Sequence, residues 1–503
     1  MASRYTSLDE IHGIIFDAPD DSDDSIHSWD EDSNEEISDP HEAEDVQNQN
    51  LQRDFGNEEM HSTSEIRVPT QNRNRSSGKR QTVPEINWGD LDEVVNVAYP
   101  EFSGPQHGPV HSFDVDSEPV VFFDQLFTDE LWDLLVTKTN RYARQANVNN
   151  WVDTTQEEIR CFIGFLFGTS INKNSQLDDI WSSDWVVASP AFAHFFTRDR
   201  FWALLSNIHL ADNEKSVDRN HQDYDKLYKI RPMVTILKQS FQTNYSLGQN
   251  VSVDEAVVKG KGRNPVKQYM PMKPKKRGSK LWCIGCSCCA HLWDFQLYAG
   301  KEKGTAEQGF GTYTVGTLRS NRLGYPKCLT DKSLLKTMKQ GDHHSTTTEG
   351  ITETVWKDTK DVSFLSNVHS SMGQDNVSRK KQGGSVVAIT APTVVKDYNK
   401  NMGAIDKNDQ LKKTYAIDRK SKKWWMSIFF HLLDVCRLNS FIMHQQCYLS
   451  WNSGPVEEDV APRMDQKSFT SKLVKSLCGT YTSRKLWLPL FVTQFHISLC
   501  IRP

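Results

Sequence analysis

Asp254 lies in a strand-like run, VSVDEAVV, and is followed at once by Glu255. From Val251 to Lys280 the chain carries nine Lys and Arg against those two acids. Arg263, Lys267, Lys273, Lys275, Lys276, Arg277 and Lys280 are interleaved with Tyr269, Pro271 and Pro274. A carboxylate at a strand end beside a phosphate-attracting surface suits metal-assisted phosphodiester chemistry. Hard cations such as Mg²⁺ take carboxylate oxygens and keep waters to exchange for phosphate. Two such ions stabilise both the attacking and the leaving oxygen of an in-line displacement, which one Asp alone does not support. A second acidic pair, Asp406 and Asp409 in NMGAIDKNDQLKKTY, is spaced to share one helical face. Lys407, Lys412, Lys413, Arg419, Lys420, Lys422 and Lys423 surround it. The chain has 65 acids, so on pattern alone a solvated surface stays the stronger reading for this pair.

Cys283-x-x-Cys286, with Cys288, Cys289 and His291, offers ligand types for zinc. It sits in a strand-like run, and no second CxxC or distal His pair has the usual spacing. Structural cysteines are the favoured reading, and zinc is not expected. Ten Cys in 503 residues make no disulfide framework.

The elements that must position these residues follow from charge and periodicity. Residues 1–100 hold 24 acids against 7 bases, and the remainder holds 41 acids against 52 bases. An acidic arm therefore precedes a basic body, and basic bodies of this kind often meet phosphate backbones. The arm, rich in DDSDDS-like runs and poor in apolar residues, is expected to be disordered. From Pro119 the apolar residues recur at helical spacing through FFDQLFTDELWDLLV. Thr155 to Glu158 fits a capping box ahead of the stripe Ile159, Phe162, Ile163 and Leu166. Further helices are predicted across RDRFWALLSNIHLADN and from Met233 to Phe241 after Pro232. VSVDEAVV, KLWCIGCSCC and HLWDFQLYAG then read as strands, as do Val362–Ser366 and Val386–Thr390. Trp424 to Gln446 reads as a helix apolar around most of its circumference, hence buried. Asp434, Arg437 and two His in it argue against lipid. The charge-free run from Leu486 to Ile501 is short and interrupted by Pro489, so no membrane association is expected.

VSVDEAVVKGKGRNPVKQYMPMKPKKRGSKLW closely resembles the segment bearing the first catalytic aspartate of piggyBac-type DNA transposases. YNKNMGAIDKNDQLKKTYAIDRKSKKWW is similar to their last catalytic segment. TNRYARQ at 139–145, RDRFWALLSNIHLADN, KIRP at 229–232, GTLRSNRLGYP at 316–326 and VWKDTKDVSFLSNVH at 355–369 extend the resemblance in the same order. It implies an α/β fold, an RNase H-like core with a helical N-terminal subdomain, and cutting and joining of DNA at TTAA sites with Mg²⁺ or Mn²⁺. It maps Asp254 onto the first metal ligand, Asp406 onto the third and Asp409 onto the additional nearby acid. Arg263, Lys267, Lys273, Lys275, Lys276, Arg277, Lys280, Lys412, Lys413, Arg419 and Lys420 are then the expected DNA contacts. Nuclear residence is expected, and a homodimer is left open. The organisation expected is a disordered arm over 1–117, a transposase-derived domain over 118–450, and a divergent tail over 451–503. Within that domain the resemblance places a helical part at 118–248, a core at 249–420 and a buried helix at 421–450.

The resemblance breaks at one point. Family members carry the second catalytic aspartate on a strand between the segments matching YAG and GTLRSNR. Here only KEKGTAEQGFGTYTV separates Gly300 from Gly316. The core is therefore expected to be interrupted, without the segment that bears the second aspartate. Asp331, Asp342 and Asp361 lie beyond the break and do not match the motif. The reading is a transposase-derived DNA-binding protein defective in cleavage and strand transfer. An active metal-dependent transposase with a substitute carboxylate is one alternative. A truncated isoform acting through protein contacts is the other. Loss of a strand and its covering helices leaves the middle an incomplete sheet or a poorly ordered one.

Overall fold

A computed structural model describes residues 86–484 except 96–100, 175, 261–263, 272, 274–275, 301–312, 372, 382–383, 420, 422 and 452–462. Most of the acidic arm, the expected break at 301–312 and the last residues of the tail lie outside the described residues.

The first part is helical: α1 (Pro119–Leu126), α2 (Asp129–Gln145), α3 (Gln156–Ile171), α4 (Arg198–Asn207) and α5 (Arg231–Asn244). Pro119 and Pro232 stand in the first turns of α1 and α5, where their missing N–H costs nothing. The predicted capping box is half formed. The Thr155 side chain accepts from the Glu158 N–H. The Glu158 carboxylate turns instead to Thr154 at 2.7 Å, Arg200 at 2.5 Å and Tyr481 at 2.5 Å. Burial works to raise the Glu158 pKa, but these hydrogen bonds outweigh it and hold the carboxyl below its ordinary value.

Two short strands, β1 (Gly108–Pro109) and β2 (Tyr245–Ser246), pair antiparallel and tie the N-terminal approach to the end of α5. The next four strands form one antiparallel sheet: β3 (Val251–Lys259), β4 (Lys267–Tyr269), β5 (Arg277–Cys286) and β6 (Leu292–Leu297). β5 takes β3 along one side and, in succession, β4 and β6 along the other. β3 is therefore an edge strand among the described residues. A second sheet has the order β7 (Val315–Leu318), β10 (Asp361–Ser366), β9 (Ile351–Lys357) and β8 (His343–Thr348). β11 (Gln374–Lys380) and β12 (Val386–Pro392) form a separate hairpin. Four helices follow: α6 (Thr393–Asn401), α7 (Ala404–Thr414), α8 (Met426–Trp451) and α9 (Gln466–Cys478).

One hydrophobic core joins the helical part to the first sheet, from Phe122 and Phe162 through Phe241, Val258 and Phe295 to Phe429 and Leu473. α8 crosses this core. It is long and apolar enough to span a membrane by composition, but 89% of its apolar window is covered by protein. Asp434 and Arg437 face each other inside it at 3.5 Å. The second sheet and the hairpin have smaller cores of their own, around Trp356 and Val395 and around Leu329 and Leu365.

Two expected boundaries are corrected. Order begins before residue 118: Gly89 donates to the Thr347 carbonyl at 2.9 Å and the Trp88 indole to the Gly324 carbonyl at 2.9 Å. The segment runs along β8 and covers its edge. Order also continues past 450. α9 lies on α3, where Gly164 admits Cys478 and Leu477 to within 2.9 Å of the point a β-carbon would occupy.

Candidate active site and nucleic-acid interface

Alternation along β3 assigns its two acids to opposite faces. Asp254 shares a face with Ser252, Ala256 and Val258, which are buried. Glu255 shares the other with Val253 and Val257. The Asp254 face is covered by α7, which is seated by several contacts. The Ser252 hydroxyl donates to the Met402 carbonyl at 2.6 Å, and the Ser287 hydroxyl to the Asn401 carbonyl at 2.8 Å. The Asn408 amide donates to the Ala290 carbonyl at 2.9 Å. Ala404, Ile405, Asn408 and Lys412 form the buried stripe of α7. Gly285 on β5 lets Ile405 in: a β-carbon there would stand 2.9 Å from the Ile405 Cδ1.

This packing brings Asp406, in the first turn of α7, to the Asp254 side of β3, near enough for its charge to reach the Asp254 carboxyl. Burial above all raises the Asp254 pKa. The Glu255 N–H, donating to Asp254 Oδ1 at 2.7 Å, and the Lys273 charge pull it down, while the Asp406 and Glu255 charges push it up again. The two expected metal ligands thus sense one another. Asp409 does not join them: its carboxylate accepts from Lys412 at 2.6 Å. The three downstream acids are all engaged locally. Asp331 caps a short helix through the Ser333 N–H at 2.8 Å, Asp342 accepts from the Lys339 N–H at 2.7 Å, and Asp361 pairs with Lys357 at 2.6 Å. Among the described residues no third carboxylate gathers with Asp254 and Asp406 at metal-binding distance.

On the opposite face of β3, Glu255 is an electrostatic hub. It accepts from Lys273 at 2.7 Å and from Lys280 at 2.8 Å. Burial works to raise its pKa, but the two hydrogen bonds keep the carboxyl below its usual range. Lys280 also lies 4.1 Å above the Trp282 ring. Arg277 and its cross-strand partner Tyr269 alternate onto the other face of the sheet, where the guanidinium lies 5.6 Å from the exposed ring. Lys276, Arg277 and Lys413 are exposed, and Lys267 is half-buried on β4. Arg263, Lys275 and Lys420 lie outside the described residues.

Two expected DNA contacts are corrected. Lys412 is buried on α7 against Asp409, because position 412 falls two turns after Ala404 on the inward stripe. Arg419 turns into the helical part and donates to the Thr169 hydroxyl at 2.8 Å. Burial lowers its pKa, and its Nε has no partner among the described residues. The role of Glu255 in restraining two cations was not read from the sequence. The signal was its opposite face on a strand whose partner carries Lys280 diagonally across.

The sequence profile of the family described as Transposase IS4 matches residues 118–309 and 306–441, two pieces that meet at 306–309. The chain is 23% identical over 438 residues to the human (Homo sapiens) PiggyBac transposable element-derived protein 3, covering 78% of this chain and 71% of that one. It is 25% identical over 396 residues to the human PiggyBac transposable element-derived protein 2, covering 69% of this chain and 65% of that one. Its fold is similar to that of a piggyBac transposase solved by cryo-EM as a synaptic complex with hairpin DNA. That likeness has a TM-score of 0.61 at 21% identity and covers 77% of this chain and 86% of that one.

Proposed function

The chain belongs to the piggyBac-type Transposase IS4 family, and from that premise we propose that it binds DNA through its first sheet without cutting it. The observation that carries the reading is the position of β3. The strand bearing Asp254 pairs with β5 alone among the described residues. Its other side has no strand partner among those residues.

A site that clamps two ions needs its carboxylates side by side. In an RNase H-like core the second acid would have to come from the open side of β3. The nearest later strand, β7, pairs with β10 in the other sheet. The two pieces of the family match also meet at 306–309, between Gly300 and Gly316, which supports the reading that the segment is shortened there. Among the described residues the donors do not fit a pair of Mg²⁺ or Mn²⁺ ions. Asp406 reaches Asp254 by its charge, Asp409 is held by Lys412, and Glu255 is held by Lys273 and Lys280. We therefore derive no cleavage step through them.

DNA binding rests on the cations around β4 and the start of β5. Lys276 and Arg277, exposed beside Tyr269, are placed to meet phosphate, and Tyr269 is 61% exposed. Phosphate neutralisation by such groups releases counterions, so binding falls steeply with salt. Function in the nucleus follows from a DNA partner. One experiment tests the reading: retention of duplex DNA by the full chain across a salt series, with the recovered DNA scored for nicks after incubation with Mg²⁺ or Mn²⁺. Salt-sensitive retention with intact DNA is the expected result. Salt-independent absence of retention defeats the binding claim. Nicking lost in both Asp254→Ala and Asp406→Ala defeats the claim of lost cleavage.

A further inference from the structure

Away from the acidic pair, the described residues bring together one group of soft metal ligands. The donor atoms of His107, Cys286 and Cys288 all lie within 4.8 Å of one another. We propose that these three side chains hold a single zinc-class ion, which clamps the approach to the helical part onto the turn between β5 and β6. This goes beyond DNA binding and does not depend on it.

The fold builds this cluster from three places. Cys286 is the last residue of β5 and is buried. Cys288 and Cys289 follow in a tight turn closed by Ala290 N–H to the Cys286 carbonyl at 2.8 Å and Cys286 N–H to the His291 carbonyl at 2.9 Å. Ala290 takes a positive φ of 69° to complete it. His107 comes from nearly 180 residues upstream in the chain. The β1–β2 pairing sets Gly108 against Ser246, and the His107 Cβ packs at Gly248, 3.2 Å from where a β-carbon would be. Any larger residue at 248 would push the imidazole away.

The geometry and chemistry suit zinc. With Zn–S about 2.3 Å and Zn–N about 2.0 Å, tetrahedral ligands stand roughly 3.3–3.8 Å apart. Donors within 4.8 Å need only a small contraction, and exposed Cys288 on a turn is free to supply it. Two thiols and an imidazole select a soft ion over Mg²⁺ or Mn²⁺. The fourth position is available to Cys289 or to water. Cys289 is hydrogen-bonded to the Cys286 thiol, and its sulfur lies 2.9 Å from the Tyr245 hydroxyl. A zinc-bound cysteine sulfur is a thiolate. Binding then releases the thiol protons to solvent.

His291, the histidine nearest in sequence, is not a ligand. Its ring is fully buried and stacked 3.8 Å from the Tyr245 ring. The expectation that zinc plays no part was drawn from sequence spacing, in which His107 is invisible.

The test uses the full chain carrying a tag without histidine, purified with zinc present and then dialysed. Metal content is read by atomic emission, and Co²⁺ replacement by absorption. We expect about one zinc per chain and a thiolate-to-cobalt charge-transfer band. Cys288→Ser and His107→Gln should each lower zinc content more than twofold, whereas Cys328→Ser, outside the cluster, should leave it unchanged. A second measurement needs no variant: chelation should raise maleimide labelling of Cys288 at least threefold in the unmodified chain. Zinc below half an equivalent, retention in both cluster variants, or Cys288 labelling indifferent to chelator would each overturn the proposal.

Discussion

Replacing Glu255 with Gln tests how the cationic face is restrained. The substitution keeps size and removes one negative charge held at 2.7 Å from Lys273 and 2.8 Å from Lys280. Lys273 is 41% exposed and Lys280 is 22% exposed, so each pair is discounted for solvent screening to about 0.5–1 kcal/mol. The variant should therefore unfold about 1–2 kcal/mol more easily in urea. In return, two ammonium groups, those of Lys273 and Lys280, are released on the Glu255 face. Removing a charge some 6 Å from a phosphate, at an effective dielectric near 40, is worth about 1.4 kcal/mol, or roughly tenfold in affinity. Each additional phosphate contact steepens the plot of log affinity against log salt by about 0.9, so the slope should grow by about 1–2. Fluorescence anisotropy of a labelled duplex, measured from low to moderate salt, reads both quantities. The gain should shrink as the screening length shortens. A folded Glu255→Gln chain that binds no more tightly, with an unchanged slope, would refute the assignment of this face to DNA.

Two further predictions concern the scaffold. Glu353 in β9 is fully buried, and neither carboxylate oxygen has a partner among the described residues. Burial pushes its pKa up to about 8. The folded state thus keeps a proton that the unfolded state releases near pH 4.5, so stability should fall as pH rises from about 4.5 to about 8 and flatten above. Glu353→Gln should flatten that slope, leaving the part due to buried Asp434, and gain on the order of a few kcal/mol at pH 8, read by urea unfolding at several pH values. Equal slopes in both chains would dismiss the buried acid as their source. Gly285→Val should destabilise by about 1–3 kcal/mol, because its side chain meets Ile405 and the His291 carbonyl. Unchanged thermal unfolding would mean that α7 is not seated on β5.

What could be read in advance divides along physical lines. β3, β5 and β6 were legible because alternation and turn residues are local signals, and the cap at Thr155 is local too. α8 was legible because its apolar character on all sides demands burial. The inward turn of Lys412 was within reach: it continues the stripe of Ala404, Ile405 and Asn408. It was passed over because lysine is ordinarily exposed. Arg419 and His107 were out of reach. Each is placed by a contact with residues far away in sequence, Thr169 in one case and Gly248 in the other. The ordering of residues 86–95 likewise comes from pairing along β8, a contact with residues far away in sequence.

In the proposed reading Asp254 and Asp406, with no third acid gathered beside them among the described residues, do not hold the ions that cleavage requires. Mn²⁺ binding followed by electron paramagnetic resonance tests it directly, on the full chain with its soft-ligand cluster loaded with zinc. The account predicts that unmodified chain, Asp254→Ala and Asp406→Ala bind Mn²⁺ equally weakly. A site tighter by tenfold or more in the unmodified chain, lost in both variants, would contradict it.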